Sequence, residues 1–527
     1  MLLQVKAKRV LILLLAGVFA EMTTAQTIVR SFKSELEPTK LAILSQGNTA
    51  KKFIRTETFT TDDRKDIAAI IYGNEQVGYF RSTRYLTSEQ GVSLEFVPPT
   101  YLFPVEFFVE TRAAERKKIK TVKYDSPDIA GLSLLKTRVL TQSSAPSARA
   151  KFFLLSSTIP PVEAYAGKKV SKHKGIAYLY LLNRLGEVIW AYIPGYSFGG
   201  VSEISTFKLN ADGKLGVIYG GIESFFETID YRGQRQDFFY GKLNKTPRLH
   251  HDFSYDGRYL RVFADNDRFF TVKDWEGYSE LRNDVLMDID IKNQKRKIVW
   301  NALDHYTPFG LEVESENEWA SNQDQHDFVH ASSLDFLPGL GHLLSFRNIH
   351  TLAMYDEDLD EVVWTIGPNE TDSFRTSKAD GSQFRLQSAA KIASKNKVYV
   401  FDNGEKNSRL VAVELGDAAR IKKVTEYRLP FEHHSDVGGD VEISGNGDII
   451  GFFPSTKVRE EFARTEVKFK SYIAEFNQEN SDVKLLIEVE LSSLAALPPS
   501  EAKMELIENI SGDEILVNSL LGKAKVK

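Results

Sequence analysis

The chain has 527 residues, 42% hydrophobic and 26% charged, a content that supports a sizeable core and excludes wholesale disorder. Its formal net charge of -5 comes from acids and bases spread along the chain, so there is no basic footprint for a phosphate backbone and nucleic acid is not an expected partner. The absence of cysteine rules out disulfides, thiolate metal sites, a lipidated N-terminal cysteine and a cysteine nucleophile.

Lys6, Lys8 and Arg9 precede an apolar run from Val10 to Ala20 and a polar stretch ending in Thr23-Thr24-Ala25, the order of a signal peptide over 1–25. The run is too short to span a bilayer, and no later segment reaches the roughly 20 apolar residues of a transmembrane helix. An exported protein, periplasmic or secreted and without stable membrane insertion, is therefore expected. Residues 27–165 read as short strands and turns, such as 67–72, 92–97 and 105–111, which predicts a smaller β-rich, sandwich-like N-terminal domain. Paired prolines, two glycines and a Lys/His-rich turn within 156–175 mark a linker into the remainder.

Over 175–527 one unit recurs: an apolar strand, a tight polar turn and a second apolar strand that often ends in Trp. Six such hairpins are expected, at 178–192, 225–240, 285–300, 351–366, 409–427 and 472–491. Asn183, Asp230, Asp290, Asp356 and Asn477 stand at the first turn of five of them, where Asx side chains bond their own backbone. A further strand precedes each later hairpin, entered in most cases through a Gly turn, and a last one at 515–518 is expected to join the first hairpin. The prediction is an all-β chain whose six-bladed β-propeller closes its ring with the C-terminal strand; a flat β-solenoid has shorter, more regular repeats.

Segments just before the inner strands of such a ring converge on its channel. Here they hold Leu249-His250-His251-Asp252, Asp327-Phe328-Val329-His330 and Gln387-Ser388, with Arg347 at the end of Ser345-Phe346-Arg347. Histidines at matched repeat positions point to a polar pocket, although solvated or satisfied side chains at blade tips are the plainer alternative. His250, His251, His326 and His330 with Asp252, Asp324 and Asp327 offer imidazole and carboxylate ligands. Their spacing matches no closed zinc pattern, so neither a metal nor a cofactor is expected.

The stretch DFVHASSLDFLPGLGHLLSFRN, followed by MYDEDLDEVVWTIGP and then FDNG with SR shortly after, resembles the bacterial arylsulfotransferases, from about His250 to Pro454. That resemblance implies a propeller with an N-terminal β domain, an exported enzyme, and transfer of a sulfuryl group from an aryl sulfate to a phenol without a nucleotide donor. It implies His251 as a pocket histidine, His330 as the histidine of a D-x-x-H motif, and Arg347 as the sulfate-binding arginine. His250, Gln387 and Ser388 join them as substrate-binding candidates. The family's Gln-His pair, whose histidine takes the sulfuryl group, stands here as Gln387-Ser388. A serine hydroxyl needs a base to act as a nucleophile, which leaves two expectations: direct sulfuryl transfer, or a degenerate propeller that binds an anionic or aromatic ligand or a protein. The partners expected of the enzyme are small molecules, with a homodimer left open.

Overall fold

The computed structural model describes residues 49–60, 66–83, 85–88, 91–127, 135–142, 151–159, 176–194, 203–210, 214–220, 224–240, 248–270, 280–306, 325–367, 384–404, 406–417, 420–455, 468–492 and 503–508. The expected signal peptide, residues 160–175 of the expected linker and the expected closing strand at 515–518 lie outside them. Every described residue falls in one compact unit spanning 48–127 and 134–527.

The unit is all-β and built largely from four-stranded antiparallel sheets. Five arise as plain meanders or nearly so. The second sheet runs Glu203–Leu209, Leu215–Gly220, Phe225–Ile229 and Arg235–Tyr240; the third runs Leu249–Tyr255, Tyr259–Phe270, Glu280–Asp290 and Lys295–Asn301. The fourth starts at Ala331–Leu337 and Gly341–Phe346, the fifth at Ala389–Ser394 and Lys397–Asp402, and the sixth at Asp440–Ile443 and Ile449–Phe453. The first is composite: Met504–Glu508 pairs with Lys151–Ile159, which pairs with Ile176–Asn183 and then Val188–Tyr192.

All six predicted hairpins appear as adjacent strands of these sheets, the outer two in the first five and, in the sixth, just inside a fifth strand. Their turns close as Asx chemistry requires. The side-chain Oδ1 accepts from the backbone two to four residues on at Asn183 (Leu185 N, 2.9 Å), Asp230 (Arg232 N, 2.9 Å), Asp290 (Asn293 N, 3.0 Å), Asp356 (Asp360 N, 2.9 Å) and Asn477 (Glu479 N, 2.8 Å).

The four-stranded repeat starts earlier in the chain than residue 175. Lys151–Ile159 lies inside the first sheet, and Leu135–Gln142 adds a fifth strand to the sixth sheet by pairing with Val483–Ser492. Both strands hide their membership because the prolines at 160–161 interrupt the pattern before the first hairpin, and one partner of each, Met504–Glu508 and Val483–Ser492, lies hundreds of residues away. Met504–Glu508 is the described C-terminal strand that reaches the first sheet, through Lys151–Ile159 rather than directly onto the hairpin.

The N-terminal strands form two further sheets, Gly78–Ser82 with Ile67–Asn74, Val105–Thr111 and Arg116–Val122, and Arg55–Phe59 with Gly91–Phe96 and Leu86–Ser88. Tyr72, Phe96 and Phe107 pack ring against ring between them. The Pro98-Pro99 segment docks on the turn of the first hairpin. There Glu187 accepts from Tyr101 N at 2.9 Å and Leu102 N at 2.8 Å, and Asn183 Nδ2 donates to Pro99 O at 3.0 Å.

The innermost strands of the six sheets touch one another in sequence, and Met504–Glu508 also touches Glu203–Leu209, so their contacts form a closed cycle. A polar cavity with room for roughly one water lies among them. Each inner strand, or the residue just before it, gives side chains to its wall: Lys208, Asp252, Ser333, Lys391, Glu442 and Glu505. Apolar clusters fill the spaces between sheets, for instance Trp300, Phe346, Tyr355 and Leu334 between the third and fourth. Gly439, at φ +109, lies where a Cβ would come 2.3 Å from the Phe401 ring, so the entry to the sixth sheet requires glycine.

Candidate functional site

The site residues share one structural address, the point where the chain enters an innermost strand or leaves the next one. His250 and His251 open Leu249–Tyr255, whose register slips between His250 and Phe253; His330 immediately precedes Ala331–Leu337, and Ser388 precedes Ala389–Ser394. Arg347 follows Gly341–Phe346 and Asn403 follows Lys397–Asp402. Left-handed backbone recurs at these entries, with φ of 59° at His251, 50° at His330, 56° at Leu386 and 71° at Gly438. For a non-glycine residue this costs on the order of 1 kcal/mol. The surrounding pairs enforce it: Arg347 N–H donates to His330 O at 3.0 Å and Ser388 N–H to Phe401 O at 3.1 Å.

Three of the predicted histidines meet. His250 Nδ1 lies 2.5 Å from His251 Nδ1, His251 Nε2 lies 2.8 Å from His330 Nε2, and His330 Nδ1 lies 2.7 Å from Asp327 Oδ2. A carboxylate only accepts, so His330 carries its proton on Nδ1 and, when neutral, shows a bare Nε2. His251 then donates from Nε2, leaving its Nδ1 to accept from His250 Nδ1–H. His250 and His251 are 3% and 8% exposed, whereas the His330 side chain is 26% exposed, so the row opens to solvent at His330.

Electrostatics follow the same order. Burial first, then the His330 and His250 rings and the Lys503 and Arg248 charges, hold His251 well below the usual histidine value. It is therefore neutral at ordinary pH, as the tautomer row requires. His250 goes the other way: burial lowers its basicity, but Asp284 and Asp265 outweigh burial and raise it.

Arg347 is joined to this row through its backbone bond to His330, and its guanidinium turns toward the fifth and sixth sheets. Nη1 donates to Leu386 O and to Asn403 Oδ1 (3.3 Å), and Nη2 donates to Asp436 O. Asn403 is a hub the sequence did not single out. Its Oδ1 also accepts from Ser388 Oγ at 2.5 Å, and its Nδ2 donates to Ser435 O at 2.6 Å and Gly438 O at 2.9 Å. Its position in FDNG, directly after an inner strand, was the available signal.

Ser388 Oγ faces Asn403 Oδ1 and, at 2.6 Å, Gly438 O. Both are amide oxygens that accept its proton without removing it, so no base activates the hydroxyl among the described residues. Gln387 is fully buried. Its Nε2 donates to Phe346 O at 3.0 Å and Thr351 O at 3.1 Å, which ties the fourth and fifth sheets together. Asp252 accepts from Lys208 Nζ at 2.7 Å and from Leu334 N at 2.9 Å, so it belongs to the channel rather than to the histidine row. Asp324 lies outside the described residues.

The family model described as arylsulfotransferase (ASST) matches residues 137–496, well over half of the chain. No curated protein matches it. Among solved structures, a protein of unknown function from Bacteroides caccae is 10% identical with a TM-score of 0.38, covering 68% of this chain and 99% of its own. The virginiamycin B lyase of Staphylococcus aureus is 9% identical, TM-score 0.32, with 68% and 99% covered. The periplasmic gluconolactonase of Pseudomonas aeruginosa is 13% identical, TM-score 0.35, with 67% and 99% covered.

Proposed function

The chain belongs to the arylsulfotransferase family, and on that premise we propose that it is an exported, six-bladed propeller enzyme that moves a sulfuryl group directly from an aryl sulfate to a phenol. The closed cycle of six innermost strands supports the propeller reading. The signal-like order of residues 1–25 supports export. The single observation that carries the chemistry is the row Asp327–His330–His251, with Arg347 bonded through its backbone to His330.

In this reading the Arg347 guanidinium exchanges its bonds to Leu386 O, Asn403 Oδ1 and Asp436 O for the sulfuryl oxygens, because a guanidinium matches two anionic oxygens in a planar fork. Asp327 fixes His330 in the tautomer whose Nε2 accepts a proton, the role a buried carboxylate plays for a catalytic histidine. The acceptor phenol attacks sulfur as its proton passes to His330 Nε2. The bond from sulfur to the donor's aryl oxygen breaks, the electron pair stays on that oxygen, and His251 Nε2–H donates to it. His251 keeps its proton and gives only that hydrogen bond, while the proton taken by His330 Nε2 passes on to the departing phenolate, so one proton enters and one leaves His330 per turnover and the site is regenerated. Ser388, held by two amide oxygens, takes no covalent part.

A second reading has its own support. The same amide-bound Ser388 suits a descendant that has lost its nucleophile and only binds anionic aromatic ligands. A paired assay of wild type and Ser388→His, with chromogenic aryl sulfates and phenol acceptors, separates the two. Turnover by wild type supports direct transfer. Turnover by Ser388→His alone supports the degenerate reading, and no binding or turnover of any aryl sulfate by folded protein sinks both.

A further inference from the structure

Behind the histidine row, on the third sheet, two aspartates stand directly opposite each other. Asp265 on the second strand pairs with Asp284 on the third, and His250 lies beside them on the first strand. Like charges directly across a strand pair repel, and Asp284 is only 2% exposed, so a positive species on its side, in addition to the Arg248 guanidinium on Asp265, stabilises the pair.

Each group has its outer atom anchored and its inner atom aimed at one point. Asp265 Oδ2 pairs with Arg248 Nε at 2.9 Å, and its Oδ1 lies on the His250 side. Asp284 Oδ2 accepts from Ala331 N at 2.8 Å, which leaves its Oδ1 toward the same place. His250 Nδ1 is engaged by His251, and the tautomer row makes it a protonated nitrogen, so in the neutral ring, the form a metal ion selects, Nε2 carries a lone pair. That Nε2 is buried and lies 3.1 Å from Asp284 Oδ1 and 3.3 Å from Asp265 Oδ1, yet neither contact is aligned as a hydrogen bond. A charge-assisted N–H···O bond would be shorter, at about 2.7–2.9 Å. By contrast, donors about 2.0–2.2 Å from a shared metal ion stand roughly 3–3.5 Å apart in tetrahedral or octahedral shells. The three inner atoms lie within 4.8 Å of one another.

We propose that His250 Nε2, Asp265 Oδ1 and Asp284 Oδ1 form a binding site for a divalent first-row metal ion, with water completing its shell. One imidazole with two carboxylates is a donor set suited to Zn(II) or Mn(II), and the anchors on Arg248, Ala331 N and His251 are the outer contacts that orient metal ligands. The ion relieves the Asp265–Asp284 repulsion. It also keeps His250 in the tautomer that donates from Nδ1, which holds His251 with its proton on Nε2. The site stands one residue from the histidine that faces His330, so it positions that histidine without touching substrate.

The test uses the whole purified chain, stripped with chelator and then dialysed against ZnCl2 or MnCl2, with bound metal measured by elemental analysis. The expected result is close to one ion per chain, with affinity at least about tenfold weaker in Asp284→Asn and in Asp265→Asn. Should either variant fail to fold, Co(II) titration of wild type gives an independent readout: a saturable visible absorption band at one equivalent supports the site. Absence of stoichiometric Zn(II), Mn(II) and Co(II) binding by folded wild type overturns it and leaves a proton between His250 and Asp284. Metal retention is read without any transfer assay, so it stands or falls apart from the sulfuryl chemistry.

Discussion

Lys391→Met removes a cation from the charged cluster at the channel, and the response should depend on pH in a calculable direction. Lys391 Nζ lies 3.0 Å from Glu442 Oε1, with Glu505 and Asp440 on the same cavity wall. Burial works against the charge of Lys391, but Glu442, Asp335, Glu505 and Asp440 outweigh it and hold the ammonium well above its usual range. Burial pushes Glu442 up to about 8 and Glu505 up to about 7, in both cases against the pull of Lys391. In the wild type the folded state therefore keeps protons that the unfolded chain has released from the usual carboxylate range up to about 8. Stability falls as pH rises through that window, by about 1.4 kcal/mol per pH unit for each such proton. Removing Lys391 leaves Glu442 without its ion-pair partner, and breaking a buried pair costs about 3–5 kcal/mol. The lower end applies here, because Lys391 and Glu442 keep side-chain exposures of 20% and 15% and water in the cavity screens them. Urea unfolding of both proteins should show a loss of about 3 kcal/mol at pH 8.5 and a smaller one at pH 5.5, where Glu442 and Glu505 hold their protons and repel less. Equal losses at the two pH values would refute the reasoning, because they would mean that these carboxylates do not titrate against Lys391.

Asp327→Asn should free His330 from its tautomer and lower kcat about 10²–10⁴-fold with a smaller change in KM, read in an aryl sulfate transfer assay. Ser388→Ala, by contrast, should leave kcat within about threefold, since its hydroxyl meets only amide oxygens; a loss of about 10³-fold would make it a nucleophile after all. Gly439→Ala should lower stability by about 2 kcal/mol or more in thermal unfolding, because its φ of +109 and the Phe401 ring at 2.3 Å both oppose a side chain.

The hairpins were legible because each is local: two apolar strands and an Asx turn lie within a few residues, as Asp356 bonding Asp360 N illustrates. Lys151–Ile159 and Leu135–Gln142 were not assigned to the repeat, since their partners Met504–Glu508 and Val483–Ser492 come from the far end of the chain. No periodicity records that pairing. His251, His330 and Arg347 stood out because matched positions in a repeat converge when the repeat closes. Asn403 and the Asp265–Asp284 pair did not, because their roles depend on cross-strand register and on which oxygen is already anchored. An aspartate in a strand reads as a solvent-facing residue until its neighbour across the sheet is known.

Direct transfer is tested most sharply by initial rates measured over a grid of aryl sulfate and phenol concentrations with the wild-type chain. Intersecting double-reciprocal lines are predicted, since donor and acceptor must occupy the Arg347 and His330 neighbourhood together before any bond to sulfur changes. Parallel lines, the mark of a sulfurylated enzyme between two half-reactions, would contradict the account, as would a folded protein with no turnover at all.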